Sequence, residues 1–551
     1  MNDQEPTLRF RLPANTRILT VVIIMLMKLA GIAVAQDQPD VTQERKAQII
    51  QPHRYERLRK SGDDPFHVIA LRGSGIILFR DLNKFRNSNK LWQLIILDSA
   101  LQEKKDMELE INERNKFLGY EVTPDRIFFL FRTGETTKND FELIDIELSG
   151  KESGRYHFKP DLDFKLTHFT RAGSNFIFGG YVNNEPAVVM FELPNNHIRV
   201  IPGFFQKDTE LVDLRTNQNQ TFNTVLIDRS TKDNRKLIFR TFDESGKQLL
   251  EDVVLISEQK FLQTAITSTL EREDLAVVGT WGERNSKQSI GFYFMSVDPF
   301  NEQQIKYYDF GMLTHYLDNL NPKRAERIKA NSVSDASSGR IPNYAAYVMP
   351  YKVMEYKDGF LLLAEVYTPV STTNPYYSNP YYYNPYYNSG LYSMSNYYYP
   401  GMGRGFRPYS YGNNMKTVNE IKSTQTAVLS FDPKGKINWD QSFKIDDLKV
   451  AGVDQVSDFW VGRDKIFFLY KKESDLMVKS IDITDDKSAE STEKIKMTDT
   501  DDVIRSEKEF EGGIRQWVDN SFYVWGYQTI RNANKEDRVR DVFYINKVLV
   551  R

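Results

Sequence analysis

LAVVGTWGERNSKQSIGFYFMSVD, residues 275–298, carries the pattern on which the chain is built. An apolar run stops at small residues, a polar turn follows, and a second apolar run closes on Asp298. Two apolar runs of strand length joined by a polar turn read as a β-hairpin, with Trp281 and Gly282 at its loop. The same arrangement recurs to either side. Residues 66–71, 75–80, 91–98 and 107–111 form four short runs rich in Ile, Leu and Phe, and 117–122, 127–132, 141–148 and 156–159 form four more. Short apolar runs are ambiguous between helix and strand; their even spacing and small length decide for strand.

The acidic or amide residue in the third run of each set serves as a ruler. It falls at Asp98, Glu147, Glu192, Asp243, Asp298, Asp432, Asp482 and Asn546. Most steps are 45–64 residues; the step from Asp298 to Asp432 is 134 and contains two insertions. Two copies share a turn, FDESGK at 242–247 and FDPKGK at 431–436. Asp can bond the turn amides there, and Gly can take the left-handed position. A period near fifty residues with four strands per copy predicts an all-β fold, a β-propeller of eight four-stranded blades. Seven blades follow if one copy is misread, and two separate all-β domains are the alternative architecture. The last copy stops after its third strand, 542–550, so a strand from the N-terminal region is expected to complete it and close the ring.

The ends of the chain set the expected address. Arg9, Arg11 and Arg17 precede an apolar run at 18–27, and Ala33-Val34-Ala35 stands before Gln36. This is the pattern of a secretory signal peptide over residues 1–35, cleaved between Ala35 and Gln36. The alternative is a retained anchor. Lys28 opposes it, because a charge at the centre of a span costs about 2.5–3.5 kcal/mol. Residues 36–65 read as a solvated, partly helical lead-in, and 66–551 as the repeat domain. The chain has no Cys, which excludes disulfides, thiolate metal sites and a lipid anchor on Cys. The mature protein is therefore expected in the periplasm or at the cell surface, with no stable membrane span. A net charge of −2 on 551 residues argues against a nucleic-acid partner.

The first insertion, 311–343, carries Met312, Leu313, Tyr316, Leu317 and Leu320 at helical spacing. Asn321-Pro322 then reads as a cap followed by Pro at the first helical position. A helical hairpin on the rim is expected, with Lys323, Arg324 and Arg327 on a basic face that would meet an acidic partner or simply solvent. The second insertion, 371–422, is low-complexity, with thirteen Tyr between Tyr376 and Tyr411 among Pro, Gly, Asn and Ser. Tyr joins a flat apolar ring to a polar tip and suits stacking on sugars, peptides or other copies. A tolerated passenger loop is the other reading. Successive strands of a blade reverse direction, so the loop between blades and the loop between the second and third strands open on one face. Both insertions should therefore project side by side from the sixth blade. The candidate binding surface comprises Tyr376, Tyr377, Tyr381, Tyr382, Tyr386, Tyr398, Arg404 and Arg407, with Lys323, Arg324 and Arg327.

Catalytic motifs are missing. His53, His67, His157, His168, His197 and His315 show no helical metal-ligand spacing. There is no nucleophile elbow, phosphate loop or calcium loop, and Asp482 with Asp499, Asp501 and Asp502 reads as solvated turns. No cofactor is expected.

Tyr307-Tyr308-Asp309-Phe310, Tyr316-Leu317-Asp318, Asn321-Pro322-Lys323-Arg324 and Ala364-Glu365-Val366-Tyr367-Thr368-Pro369 resemble a group of secreted Bacteroidota proteins without assigned activity. AVLSFDPKGKINWD at 427–440 is similar too. The chain departs from that group at 332–340, which is small and polar where the group has a lysine-rich helix end. The resemblance implies a cell-envelope protein of a Gram-negative bacterium and carries over no catalytic residues. The expected role is non-covalent binding of an envelope protein or polysaccharide through the face bearing the insertions. The competing expectations are a carbohydrate-active hydrolase with carboxylates near the central channel, and a Tyr-rich structural adhesive.

Overall fold

The computed structural model describes residues 48–369 and 421–551, apart from 72, 135–138, 231–232, 269–273, 285, 299, 302, 451–453, 486, 509–510 and 537. They form eight antiparallel sheets arranged as a β-propeller. Blades 1 to 8 begin near residues 67, 115, 164, 209, 261, 347, 457 and 503. Strand order within each runs from the inner to the outer edge in chain order, except in blade 8.

The second and third strands of a blade are continuous apolar runs because both faces of the sheet are covered. In blade 1, Ile77 and Phe79 pack towards blade 2, in one cluster with Phe129 and Ile144. Ile76 and Leu78 pack towards blade 8, in another with Trp525 and Phe543. Six more clusters fill the other junctions, for example Val188 with Leu226 between blades 3 and 4 and Leu469 with Val524 between blades 7 and 8. Apolar side chains alternate along each strand, but between two neighbouring blades rather than between core and water.

The opening hairpin forms the centre of blade 5, with Leu275 opposite Val297 and Trp281 opposite Gly291. Trp281 and Gly282 lie inside the strand Leu275–Gly282 rather than in the loop, and Trp281 is fully buried. The turn is shorter than its polar sequence implies because ladder bonds continue to Gly282.

The ruler residues have a common task. Asp98 accepts from the amides of Ala100 and Gln102, both at 2.9 Å. Asp243 accepts from Lys247 at 2.9 Å, Asp432 from Lys436 at 2.7 Å, and Asp482 from Thr484 at 2.9 Å. Each carboxylate thus folds the turn into the fourth strand. In the shared turn, Gly435 sits at φ 82°, and a Cβ there would stand 2.1 Å from the Phe294 ring of blade 5. Both constraints demand Gly.

Asn546 is different. It lies within the strand Val539–Val550 and is fully buried. The strand Ile49–Leu58 (β1) pairs with this strand as the outer member of blade 8. The expected closure by an N-terminal strand is therefore present, and residues 49–58 are extended rather than helical. Asn546 donates to Gln51 at 2.9 Å, Arg54 donates to Asn546 at 2.9 Å and to Gln528 at 3.0 Å, and the Arg54 guanidinium covers Tyr544. Tertiary pairing along ten residues outweighs the local helix signal of this charged segment.

The first insertion contains one helix, Pro322–Ser337 (α1), capped by Asn321, whose side chain accepts from the Lys323 amide. The expected helical hairpin is absent: residues 313–321 run as turns after a short 3-10 turn, Phe310–Met312. Blade 6 pins their backbone. Asp440 accepts from the amides of Thr314 and His315 at 2.8 and 2.7 Å, Gln425 donates to the Tyr316 carbonyl at 2.7 Å, and Ser442 donates to the His315 carbonyl at 2.8 Å. Those groups are therefore spent on the sheet and cannot form helix bonds.

Removing β1 by truncation to residue 59 should leave the blade 8 edge and its polar groups bare. Thermal unfolding is expected to shift down and broaden, and a peptide spanning 48–58 should restore the midpoint. Phe79→Ala, which removes a ring stacked 4.1 Å from Phe129, should cost about 3–5 kcal/mol by denaturant titration.

Candidate functional site

The two insertions start from the same end of blade 6. The innermost strand, Tyr347–Tyr356, begins where the second strand, Gly359–Pro369, ends, with Tyr347 opposite Tyr367. The third strand resumes at Ile421, opposite Pro369. The helical insertion therefore enters the blade at the end from which residues 370–420 depart. Ile328 of α1 joins Tyr316, Leu317, Tyr367 and Ile421 in one apolar cluster. Gly311 lets the helix approach closely, since a Cβ there would meet the Ser332 hydroxyl at 2.0 Å.

Lys323, Arg324 and Arg327 are exposed on the first turns of α1; Lys323 and Arg327 share one stripe, while Arg324 stands one turn before Ile328 on the stripe that packs inward. Lys329 instead turns in and donates to the Thr314 carbonyl at 2.6 Å. Tyr376, Tyr377, Tyr381, Tyr382, Tyr386, Tyr398, Arg404 and Arg407 lie outside the described residues, as do Ala35 and Gln36. The three basic residues thus stand on the helix whose Ile328 shares an apolar cluster with Tyr367 and Ile421.

Beneath the foot of the Tyr-rich insertion lies a buried polar network that the sequence reading missed. Glu365, two residues before Tyr367, is fully buried. It accepts from the Ser457 hydroxyl at 2.6 Å, the Ser457 amide at 2.9 Å, the Val456 amide at 3.1 Å and the Tyr367 hydroxyl at 3.0 Å. These bonds tie the second strand of blade 6 to the inner strand of blade 7. Lys352 lies 3.3 Å from Asp458, and Asp458 also accepts from the Gln516 amide of blade 8 at 2.9 Å. Asp213 does the same work between blades 4 and 5, accepting from the amide and hydroxyl of Thr267 at 2.8 Å. A lone Glu in LLLAEVY and a lone Lys in VMPYKVM were the available signals, since an isolated charge in a two-sided apolar strand needs a partner.

Glycoside hydrolysis needs two carboxyl groups that reach substrate across an open cleft. Glu365 and Asp458 have no exposed surface and spend their oxygens on neighbouring blades. Among the described residues, no group of three or more His, Asp or Glu is placed to hold a metal ion, and no helix is long and apolar enough to cross a membrane.

No family model matches the chain, and no curated protein matches it in sequence. Solved structures resemble it in fold. The WD40 domain of SCAP from fission yeast aligns over 91% of this chain and 98% of its own, at 8% identity and a TM-score of 0.41. Polysaccharide lyase Uly1 aligns over 91% and 100%, at 8% identity and 0.36. Prolyl oligopeptidase B from Galerina marginata aligns over 54% of this chain, which spans only 38% of that enzyme, at 13% identity and 0.30. These likenesses are too weak to argue from. The strand order and the eight junctions define the class by themselves: an eight-bladed β-propeller with a helix packed on blade 6 and residues 370–420 inserted between its second and third strands.

Two predictions follow from the geometry of blade 6. Residues 370–420 close between paired residues, so replacing them with an Asn-Gly turn should preserve the fold. The shorter connection should raise unfolding free energy by about 3 kcal/mol, because closure entropy grows with the logarithm of loop length. Burial pushes the Glu365 carboxyl from 4.5 up to about 7, although Ser457, Arg515 and Val456 pull it back. The folded chain then holds a proton that the unfolded chain releases. This contribution is complete below the unfolded value and is lost as pH rises through the folded one. Unfolding free energy should fall by roughly 3 kcal/mol between these two values from this group, and Glu365→Gln should flatten the slope in urea titrations.

Proposed function

We propose that this protein is an exported binding or scaffold protein of the cell envelope. It recognises a protein or polysaccharide partner without covalent chemistry. The observation that carries this reading is the pairing of Tyr347 with Tyr367 and of Pro369 with Ile421, which roots both excursions at one end of one blade. A rigid ring that carries long insertions at one end of a blade is the arrangement by which scaffolds present binding residues. The exposed Lys323, Arg324 and Arg327 give that end a positive patch, suited to an acidic partner. Export is supported by the N-terminal signal pattern ending at Ala35, and by the resemblance to secreted Bacteroidota proteins.

The test is capture from envelope fractions by three forms: the natural protein, the form with 370–420 replaced by a turn, and Lys323→Glu/Arg324→Glu/Arg327→Glu. Partners retained by the first should be lost from the second, and weakened at least about tenfold in the third. Equal capture by all three would sink the reading. N-terminal sequencing of the exported protein should begin at Gln36.

A further inference from the structure

Each blade ends in an outer strand whose far edge has unpaired N–H and C=O groups, a template for another strand. Most of these edges are defended. The outer strand of blade 1, Glu103–Asn112, exposes Glu103, Lys104, Lys105, Asp106 and Glu108. That of blade 7, Ser488–Lys494, exposes Glu490 and Lys494, and β1 carries Pro52. Blade 4 is the exception in its side chains, although its ladder carries a bulge at Leu249. Its outer strand, Gln248–Leu255, exposes Leu249 at 55%, Val253 at 43% and Leu255 at 63%. These three share one face with Glu251, whose carboxylate is held by Arg240 at 2.6 Å. Among the described residues, no strand pairs with its outer edge.

An open ladder flanked by alternating aliphatic side chains fits an extended polypeptide, not a helix or a sugar ring. The sequence LLEDVVL, 249–255, also has aliphatic residues at both ends, two before and three after the acidic pair Glu251-Asp252, with Leu at each terminus and Asp252 at its midpoint. We propose that two copies of this chain associate by antiparallel pairing of Gln248–Leu255 with the same strand of the second copy, about a twofold axis at Asp252. Leu249 then faces the partner's Leu255, and Glu251 faces the partner's Val253, so all three exposed aliphatics are covered. Centring on Glu251 would set that carboxylate against its own copy, and centring on Val253 would leave Leu249 beyond the end of the partner's strand. In the chosen register Asp252 faces the partner's Asp252. Its side chain turns towards blade 5 and accepts from the Asp298 amide at 3.0 Å. That contact is the closest like-charge pair of the seam; the two Glu251 carboxylates stand diagonally across the axis, each held by its own Arg240. With strands only eight residues long, the dimer is small and reversible.

Sedimentation velocity of the full chain across a concentration series tests this. The mass should rise from one chain to two. Val253→Lys/Leu255→Lys should weaken association at least about tenfold, since it restores the charge found on the other edges. Both positions are exposed, so circular dichroism and the thermal midpoint should not change. Asp252→Asn keeps the acceptor for Asp298 and removes the facing charges, so it should tighten the dimer. A chain that stays monomeric, or a dimer indifferent to the two lysines, overturns the proposal. Association lost with residues 370–420 but kept in the lysine variant also overturns it and assigns self-association to the Tyr-rich insertion. An unchanged constant for Asp252→Asn overturns the register.

Discussion

Every sheet in this molecule is apolar on both sides, so no blade can be folded alone in water. Ile76 and Ile77 are adjacent in sequence, yet they are buried against different blades. Each blade supplies half of two junctions and needs both neighbours to complete them. A linear array of such units would leave two bare faces, and the ring removes them. Closure then rests on blade 8, where β1 adds the outer strand to the chain's last strand and where Trp517 and Phe543 meet Ile76 and Leu97. Stability is thereby shared between residues nearly the whole chain apart, and the first and last described segments are held in the same sheet.

Hydrophobic contact is tolerant of sliding, and the ring adds polar bonds that are not. Asp213, Glu365 and Asp458 each reach from one blade to backbone amides of the next. Trp517 completes the series by donating to the Leu71 carbonyl across the closing junction at 3.1 Å. A buried carboxylate that accepts from fixed amides has few positions in which it is satisfied, so these side chains set the register of neighbouring blades. The same device explains why blade 6 can bear two long excursions. Asp440, Gln425 and Ser442 hold the incoming chain at 314–316, and Glu365 anchors the strand from which the Tyr-rich insertion leaves. The rigid support of the candidate face is thus built from residues that never reach the surface.

The propeller was legible because its units repeat. Asp98, Asp243, Asp432 and Asp482 mark the period since each has the same local duty of turning the chain into a fourth strand. Asn546 fell on the same ruler for another reason, as the partner of Arg54 and Gln51 in the closing sheet. The start of α1 was legible from Asn321-Pro322, a local cap. Residues 313–320 carried helical spacing without helix, because their apolar side chains reach the blade 5–6 cluster from turns. Residues 49–58 carried charge and Pro without apolar alternation, and became a strand only through a partner almost five hundred residues away.

By itself, then, the sequence determined the repeat, the sites of the two insertions and the cap of the helix, and left eight blades against seven for the eight sheets to decide. Each of these is written in local chemistry: strand length, turn carboxylates, glycine at a left-handed turn, Asn before Pro. Tertiary structure alone decided which charges became inter-blade pins, which turns were held straight by blade 6, and which outer edge was left apolar. Those outcomes depend on what stands across a junction. Glu365, Asp440 and Leu255 acquire their roles from neighbours distant in the chain, and no local pattern records who those neighbours are.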